Sequence, residues 1–122
     1  MTASGRRTAA QSSGASAEQA AENCLVRAGL EIVARNYRTR FGEIDLVARE
    51  GETLVFVEVR MRSGGERFGG AAASVDSHKR RRIAAAAQQF LSRFGRNPPC
   101  RFDVVTLDAS GPTWLRAAFE LS

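Results

Sequence analysis

Polar and apolar residues alternate through two neighbouring runs, Gly42-Glu43-Ile44-Asp45-Leu46-Val47 and Thr53 to Arg62. Period-two alternation around β-branched residues predicts two strands. Gly51-Glu52 between them is a two-residue loop of the Gly-X hairpin type. With that loop Glu50 faces Thr53, Asp45 faces Glu58 and Glu43 faces Arg60. With Glu50-Gly51 as the loop instead, Asp45 and Glu58 become diagonal neighbours. Both registers put the two carboxylates on one face of the hairpin; a three-residue loop does not guarantee it.

The pattern changes to helical spacing on either side. Ser16 is an N-cap for a helix running to about Ala28, with Gly29 as its stop. Ala17, Ala20, Ala21, Cys24 and Ala28 form a small apolar stripe with Leu25 beside it, and Glu18 and Glu22 lie one turn apart. In the first turn, Glu18 also suits the positive end of the helix dipole. Glu31 to Tyr37 reads as a short strand, followed by the basic residues Arg38 and Arg40, with Arg35 inside it. Ser63 to Gly70, rich in glycine around Phe68, reads as a mobile loop able to serve as a substrate-side flap. Asp76 or Ser77 caps a second helix to about Phe94, stopped by Gly95 and Pro98-Pro99. Ile83, Ala87, Phe90 and Phe94 give it one buried face. Arg101 to Leu107, apolar on both faces, predicts an interior strand, and Trp114 to Leu121 a final one. The order is αβββαβ plus a last strand, an α/β arrangement with a mixed central sheet and no internal repeat.

Composition adds boundaries. The 122 residues suit one domain, 16–122, behind a basic tail, 1–15, that lacks periodicity and is expected to be disordered. Apolar runs are too short to cross a membrane, and Met1 to Ser16 has no apolar signal core, so the expected location is the cytoplasm. Eighteen Lys and Arg against 13 Asp and Glu give a net charge of +5, which favours a polyanionic partner. Cys24 and Cys100 form no CxxC and read as buried or half-buried thiols, and the single His78 argues against a His/Cys zinc site. Lys79-Arg80-Arg81-Arg82 puts bases where the helix dipole prefers acids, which points the run toward phosphate.

The carboxylate pair carries the chemistry. Opposed residues sit about 4.5–5.5 Å apart at Cβ, where like charges repel. A hard divalent cation offsets that repulsion, and Mg²⁺ takes one or two protein carboxylates plus waters and phosphate oxygens. The other reading is an exposed sheet face whose acids pair with Arg40, Arg60 or Arg62.

Taken together, the residues resemble the YraN family of small bacterial proteins, a branch of the PD-(D/E)XK restriction-endonuclease-like superfamily. The match rests on Glu18, Arg35-Asn36-Tyr37-Arg38, Gly42-Glu43-Ile44-Asp45-Leu46, Phe56-Val57-Glu58-Val59, Arg62, Phe68-Gly69, Lys79, Arg82-Ile83 and Arg101-Phe102-Asp103-Val104-Val105. The resemblance implies a metal site like that of archaeal Holliday-junction resolvases. Asp45 and Glu58 then hold Mg²⁺ or Mn²⁺, with Glu18 as a further ligand or water-orienting group. It further implies DNA rather than RNA as partner, and a homodimer on two-fold symmetric junctions.

Two departures stand out. Ala17 replaces a glycine, a small change inside a helix. Arg60 stands where the family pattern has a lysine two residues after the glutamate. Arginine clamps a phosphate bidentately but keeps its proton at any working pH, so it cannot act as a general base. Lys79 is a candidate substitute. Two functions therefore stand side by side, with an adaptor lacking nucleic acid a distant third. In one, a metal-dependent endonuclease uses Asp45, Glu58, Glu18 and Arg60, with the 79–82 run on the backbone. In the other, an inactive protein of the same fold binds nucleic acid through Arg35, Arg38, Arg40, Arg62 and Lys79 to Arg82. The three carboxylates favour the first and Arg60 favours the second.

Overall fold

A computed structural model describes residues 9–62 and 76–120, with side chains from Ser16 onward. The elements are α1 (Ala9–Arg27), β1 (Glu31–Arg38), β2 (Glu43–Glu50), β3 (Thr53–Met61), α2 (Ser77–Ser92), β4 (Cys100–Asp108) and β5 (Gly111–Phe119). They match the expected order and form one five-stranded mixed sheet, β1-β2-β3-β4-β5. Neighbours are antiparallel except β3 and β4, which are parallel. A parallel pair needs a crossover, and α2 lies within it. The expected flap at 63–70 and the first eight residues of the expected tail lie outside the described residues.

Each helix covers one face of the sheet. Ala17, Ala21 and Leu25 of α1 pack with Leu46, Val55, Val57 and Val105. Ile83, Ala86 and Ala87 of α2 pack with Val47, Phe56, Phe102 and Val104. Successive residues of β3 therefore serve opposite cores, as a strand buried on both faces must. Beneath α2 an aromatic row runs across the sheet. Tyr37 meets Phe90 edge-on at 5.2 Å, while Phe56 stacks on Phe102 and Phe102 on Phe119, each at 5.3 Å.

The hairpin takes the first expected register, with Glu50 opposite Thr53 and Leu46 opposite Val57. Gly51 has φ +61 while Glu52 stays at negative φ, the II′-type geometry that suits strand twist. Two boundaries move by three residues or more from expectation. α1 begins at Ala9, so Ser16 lies within the helix instead of capping it, and the 9–15 part of the expected tail is helical. Alanine-rich sequence on both sides carries the helix through a serine of middling propensity. At its other end the N–H groups of Gly29 and Leu30 bond to Val26 and Leu25 carbonyls at 2.9 and 3.1 Å, a Schellman stop sealed by the Leu25–Leu30 contact. β5 starts at Gly111, three residues before Trp114, because it follows β4 through a tight turn at Ala109-Ser110. Cys24 is half-buried as expected, but Cys100 is exposed, since it opens β4 at the sheet's end.

Asp103, fully buried in β4, is structural. Its carboxylate accepts from Arg101 Nε at 3.0 Å, Trp114 Nε1 at 2.9 Å and the Ala117 N–H at 2.8 Å. These bonds bridge the register shift between β4 and β5.

Candidate functional site: an ionisable cleft at the end of β3

The first turn of α2 stands beside the carboxyl end of β3, and a cleft of about 590 Å³ opens between them. Glu43 and Asp45 of β2, Glu58 to Met61 of β3, and Asp76, His78, Lys79 and Arg82 at the start of α2 line it, with Ile83 among them. Clefts beyond the carboxyl ends of strands are the usual ligand sites of α/β sheets.

Gly42 seats the helix. A Cβ added there would stand 2.2 Å from the Arg82 carbonyl oxygen, so only glycine lets the α2 backbone approach this closely. The turn before it is tied down by Thr39. Its N–H donates to the Gly42 carbonyl at 2.8 Å, and its Oγ1 accepts from the N–H groups of Phe41 and Gly42 at 3.0 and 3.1 Å.

Asp45 breaks the strand pattern. Leu46 and Ala48 join the α1 core and Val47 the α2 core, yet Ile44 also joins the α2 core, so alternation fails at Asp45. The paired rungs end at Leu46 and Val57, one short of the expected Asp45–Glu58 rung. Here the Asp45 carboxylate takes over: its Oδ2 accepts the Val59 N–H at 2.8 Å, where a continuing strand would offer a carbonyl. Burial, then the charge of Glu58 and more weakly that of Glu18, push Asp45 up to about 7 from an ordinary 3.8. The Val59 N–H and the Lys79 ammonium act against that rise.

Such a carboxyl favours the fold fully below about pH 4 and loses that contribution as pH rises through about 7. Asp45→Asn is therefore expected to flatten the pH dependence of the melting temperature across this window and to raise it above. Thermal melts at stepped pH check this; an unchanged profile contradicts the buried-charge account.

Glu58 is 7% exposed and meets a cation from the helix. Lys79 Nζ lies 2.7 Å from its Oε2, while Arg60 Nη1 lies at 3.5 Å from the same oxygen, too far for more than a weak bond. Lys79 also serves the cap, its N–H donating to Asp76 Oδ1 at 2.9 Å, and this bond leads in holding the Asp76 carboxyl below its usual range. The ammonium's reach to Glu58 is therefore fixed by a capped helix seated on Gly42.

The other expected site residues are distributed unevenly. Glu18, half-buried on α1, raises the Asp45 pKa by its charge but does not line the cleft. Among the described residues no three His, Cys, Asp or Glu side chains stand together at metal-holding separation. Arg35 is committed to Glu22, at 2.7 and 2.9 Å, which lowers the Glu22 pKa and ties β1 to α1. Arg38 pairs with Glu43 at 3.2 Å. Arg40 is exposed, stacked over Phe41 at 5.4 Å, and Arg62 continues beside β4 with its N–H on the Leu107 carbonyl. The 79–82 run divides: Lys79 and Arg82 face the cleft, Arg80 lies over the Phe119 ring at 5.2 Å, and Arg81 is exposed. The sequence reading omitted Glu43, Asp76, His78 and Met61 from the site. Glu43 was signalled by its place two residues before Asp45, whereas His78 and Asp76 enter only because the cap turn faces the cleft.

The fold and cleft define an α/β protein, its sheet between two helices, with buried acid and helix-borne amine meeting at the end of a parallel strand. Residues 17–107 match the family described as "Uncharacterised protein family UPF0102", and the chain belongs to it. This is the YraN family. A UPF0102 protein of Methylobacillus flagellatus is 53% identical over 110 residues, 88% of this chain and 96% of that protein. One from Cupriavidus necator is 56% identical over 108 residues, covering 88% and 82%. One from Janthinobacterium sp. (strain Marseille) is 49% identical over 114 residues, covering 93% and 92%. No helix among the described residues is long and apolar enough to cross a membrane.

Proposed function

We propose that the protein is a metal-dependent endonuclease of the PD-(D/E)XK, restriction-endonuclease-like kind, acting on branched or otherwise irregular DNA. The observation that carries the reading is the meeting of Asp45, Glu58 and Lys79 in one cleft. Two hard oxygen donors, with Asp45 pushed up by burial and then by the Glu58 charge, fit Mg²⁺ or Mn²⁺, which need only one or two protein carboxylates. Glu18 adds negative charge from the α1 side. A bound ion there would lower the pKa of a water and offset charge growing on the phosphate.

The chain's own groups supply the rest. Lys79 brings an amine to the catalytic carboxylate, the part that Arg60 cannot play as a base. Arg60, beside it, offers guanidinium donors to a phosphate. Arg82 and Arg81 extend the basic rim toward the backbone. A homodimer on a two-fold symmetric junction belongs to the same reading.

Arg60 favours a second reading, a nucleic-acid binder without turnover. One assay separates them: incubation of a four-way junction, a flap and a plain duplex with Mg²⁺ or Mn²⁺, using the protein and its Glu58→Ala variant. Cleavage that Glu58→Ala abolishes supports the nuclease. Binding by both proteins without any cleavage supports the second reading.

A further inference from the structure

The β1–β2 turn holds a side chain the proposed chemistry does not use. Phe41 is 58% exposed, yet its turn is fixed on both sides by the three bonds to Thr39 described above. The Arg40 guanidinium lies over its ring at 5.4 Å, which holds the ring and covers one face. Gly42, the next residue, packs on the Arg82 carbonyl, and Glu43 and Arg82 both line the cleft. Phe41 therefore lies two residues before Glu43, the nearest lining residue in the chain. Met61, 59% exposed, adds a second apolar group, this one in the lining itself.

We infer that Phe41, backed by Arg40, is a stacking platform for an unpaired nucleobase, so that the cleft selects DNA with an open or branched strand over continuous duplex. A rigid aromatic ring with one face free accepts any base, because every base presents a π-face. Arg40 over the ring, and Arg82 packed against the neighbouring Gly42, match the phosphates on either side of such a base. In continuous duplex each base face is already occupied by its neighbours, and the platform has nothing to hold. The inference rests on the nucleic-acid reading but not on cleavage.

The test is binding in EDTA, so that turnover plays no part. Three DNAs are compared by anisotropy: a forked duplex with 2-aminopurine at the branch, a single strand and a blunt duplex. Phe41→Ala is expected to weaken fork and single-strand binding about 5- to 150-fold, the equivalent of ~1–3 kcal/mol of base stacking. It should also abolish quenching of the 2-aminopurine while leaving duplex affinity unchanged. Phe41→Tyr should keep both. Because the side chain is exposed, the melting temperature of either variant should match the parent. Fork binding that survives Phe41→Ala, or falls equally on fork and duplex, overturns the inference alone. Dissociation of a dimer by Phe41→Ala with fork binding intact also overturns it, in favour of a protein contact. Failure of the parent protein to bind any of the three overturns the nucleic-acid reading as well.

Discussion

Lys79→Met is expected to reduce single-turnover cleavage about 100-fold or more, the usual cost of removing a charge-stabilising donor from a reacting site. The ammonium sits 2.7 Å from the Glu58 carboxylate, whereas Arg60 is at 3.5 Å. Lys79→Arg should recover little, since a guanidinium keeps the charge but is neither compact nor able to give up its proton. The informative variant is the double one. Arg60→Lys in the Lys79→Met background restores an amine two residues after Glu58 and is expected to recover at least tenfold. Binding of uncleaved DNA should change far less than the rate in all of these. A Lys79→Met protein that cleaves like the parent removes Lys79 from the chemistry.

Gly42→Ala should damage both stability and turnover. The added Cβ meets backbone, 2.2 Å from the Arg82 carbonyl oxygen and 2.7 Å from its carbon, so no side chain can swing aside. Overpacking of this sort costs about 1–3 kcal/mol, a fall in melting temperature of about 3–15 °C for a domain of this size. The helix must move, and Lys79, one turn before Arg82, moves with it. Cleavage should therefore fall nearly as far as in Lys79→Met, and combining the two should add little, because both act through one contact. Fully additive losses would show that Gly42 matters to the fold alone.

The contrast between these two residues shows what the sequence makes readable. The hairpin was legible because period-two alternation and a glycine-containing loop narrow it to two registers, and the structure takes the one with Glu50 opposite Thr53. The two-sided burial of β4 was legible from Phe102, Val104, Val105 and Leu107 for the same reason. Asp45 leaving the pleat was not. That depends on strands separating after Leu46 and Val57, and alternation carries no sign of where a ladder ends. Nor was the Lys79–Glu58 contact, which spans a strand, a crossover and a helix whose approach is set by the missing side chain of Gly42. Arg35 looked like part of a basic cluster with Arg38 and Arg40. Its bidentate pairing with Glu22 is a packing result, visible only once α1 lies across β1. The helix start was misplaced because a good capping residue, Ser16, sits inside a run of alanines that needs no cap there.

The most direct measurement is a crystal structure with Mn²⁺, located by its anomalous signal. The account predicts an ion within about 2.1 Å of one oxygen each from Asp45 and Glu58, with the Lys79 ammonium displaced from Glu58 but still in the cleft. A cleft that binds no ion at millimolar Mn²⁺, with Lys79 still paired to Glu58, would contradict it.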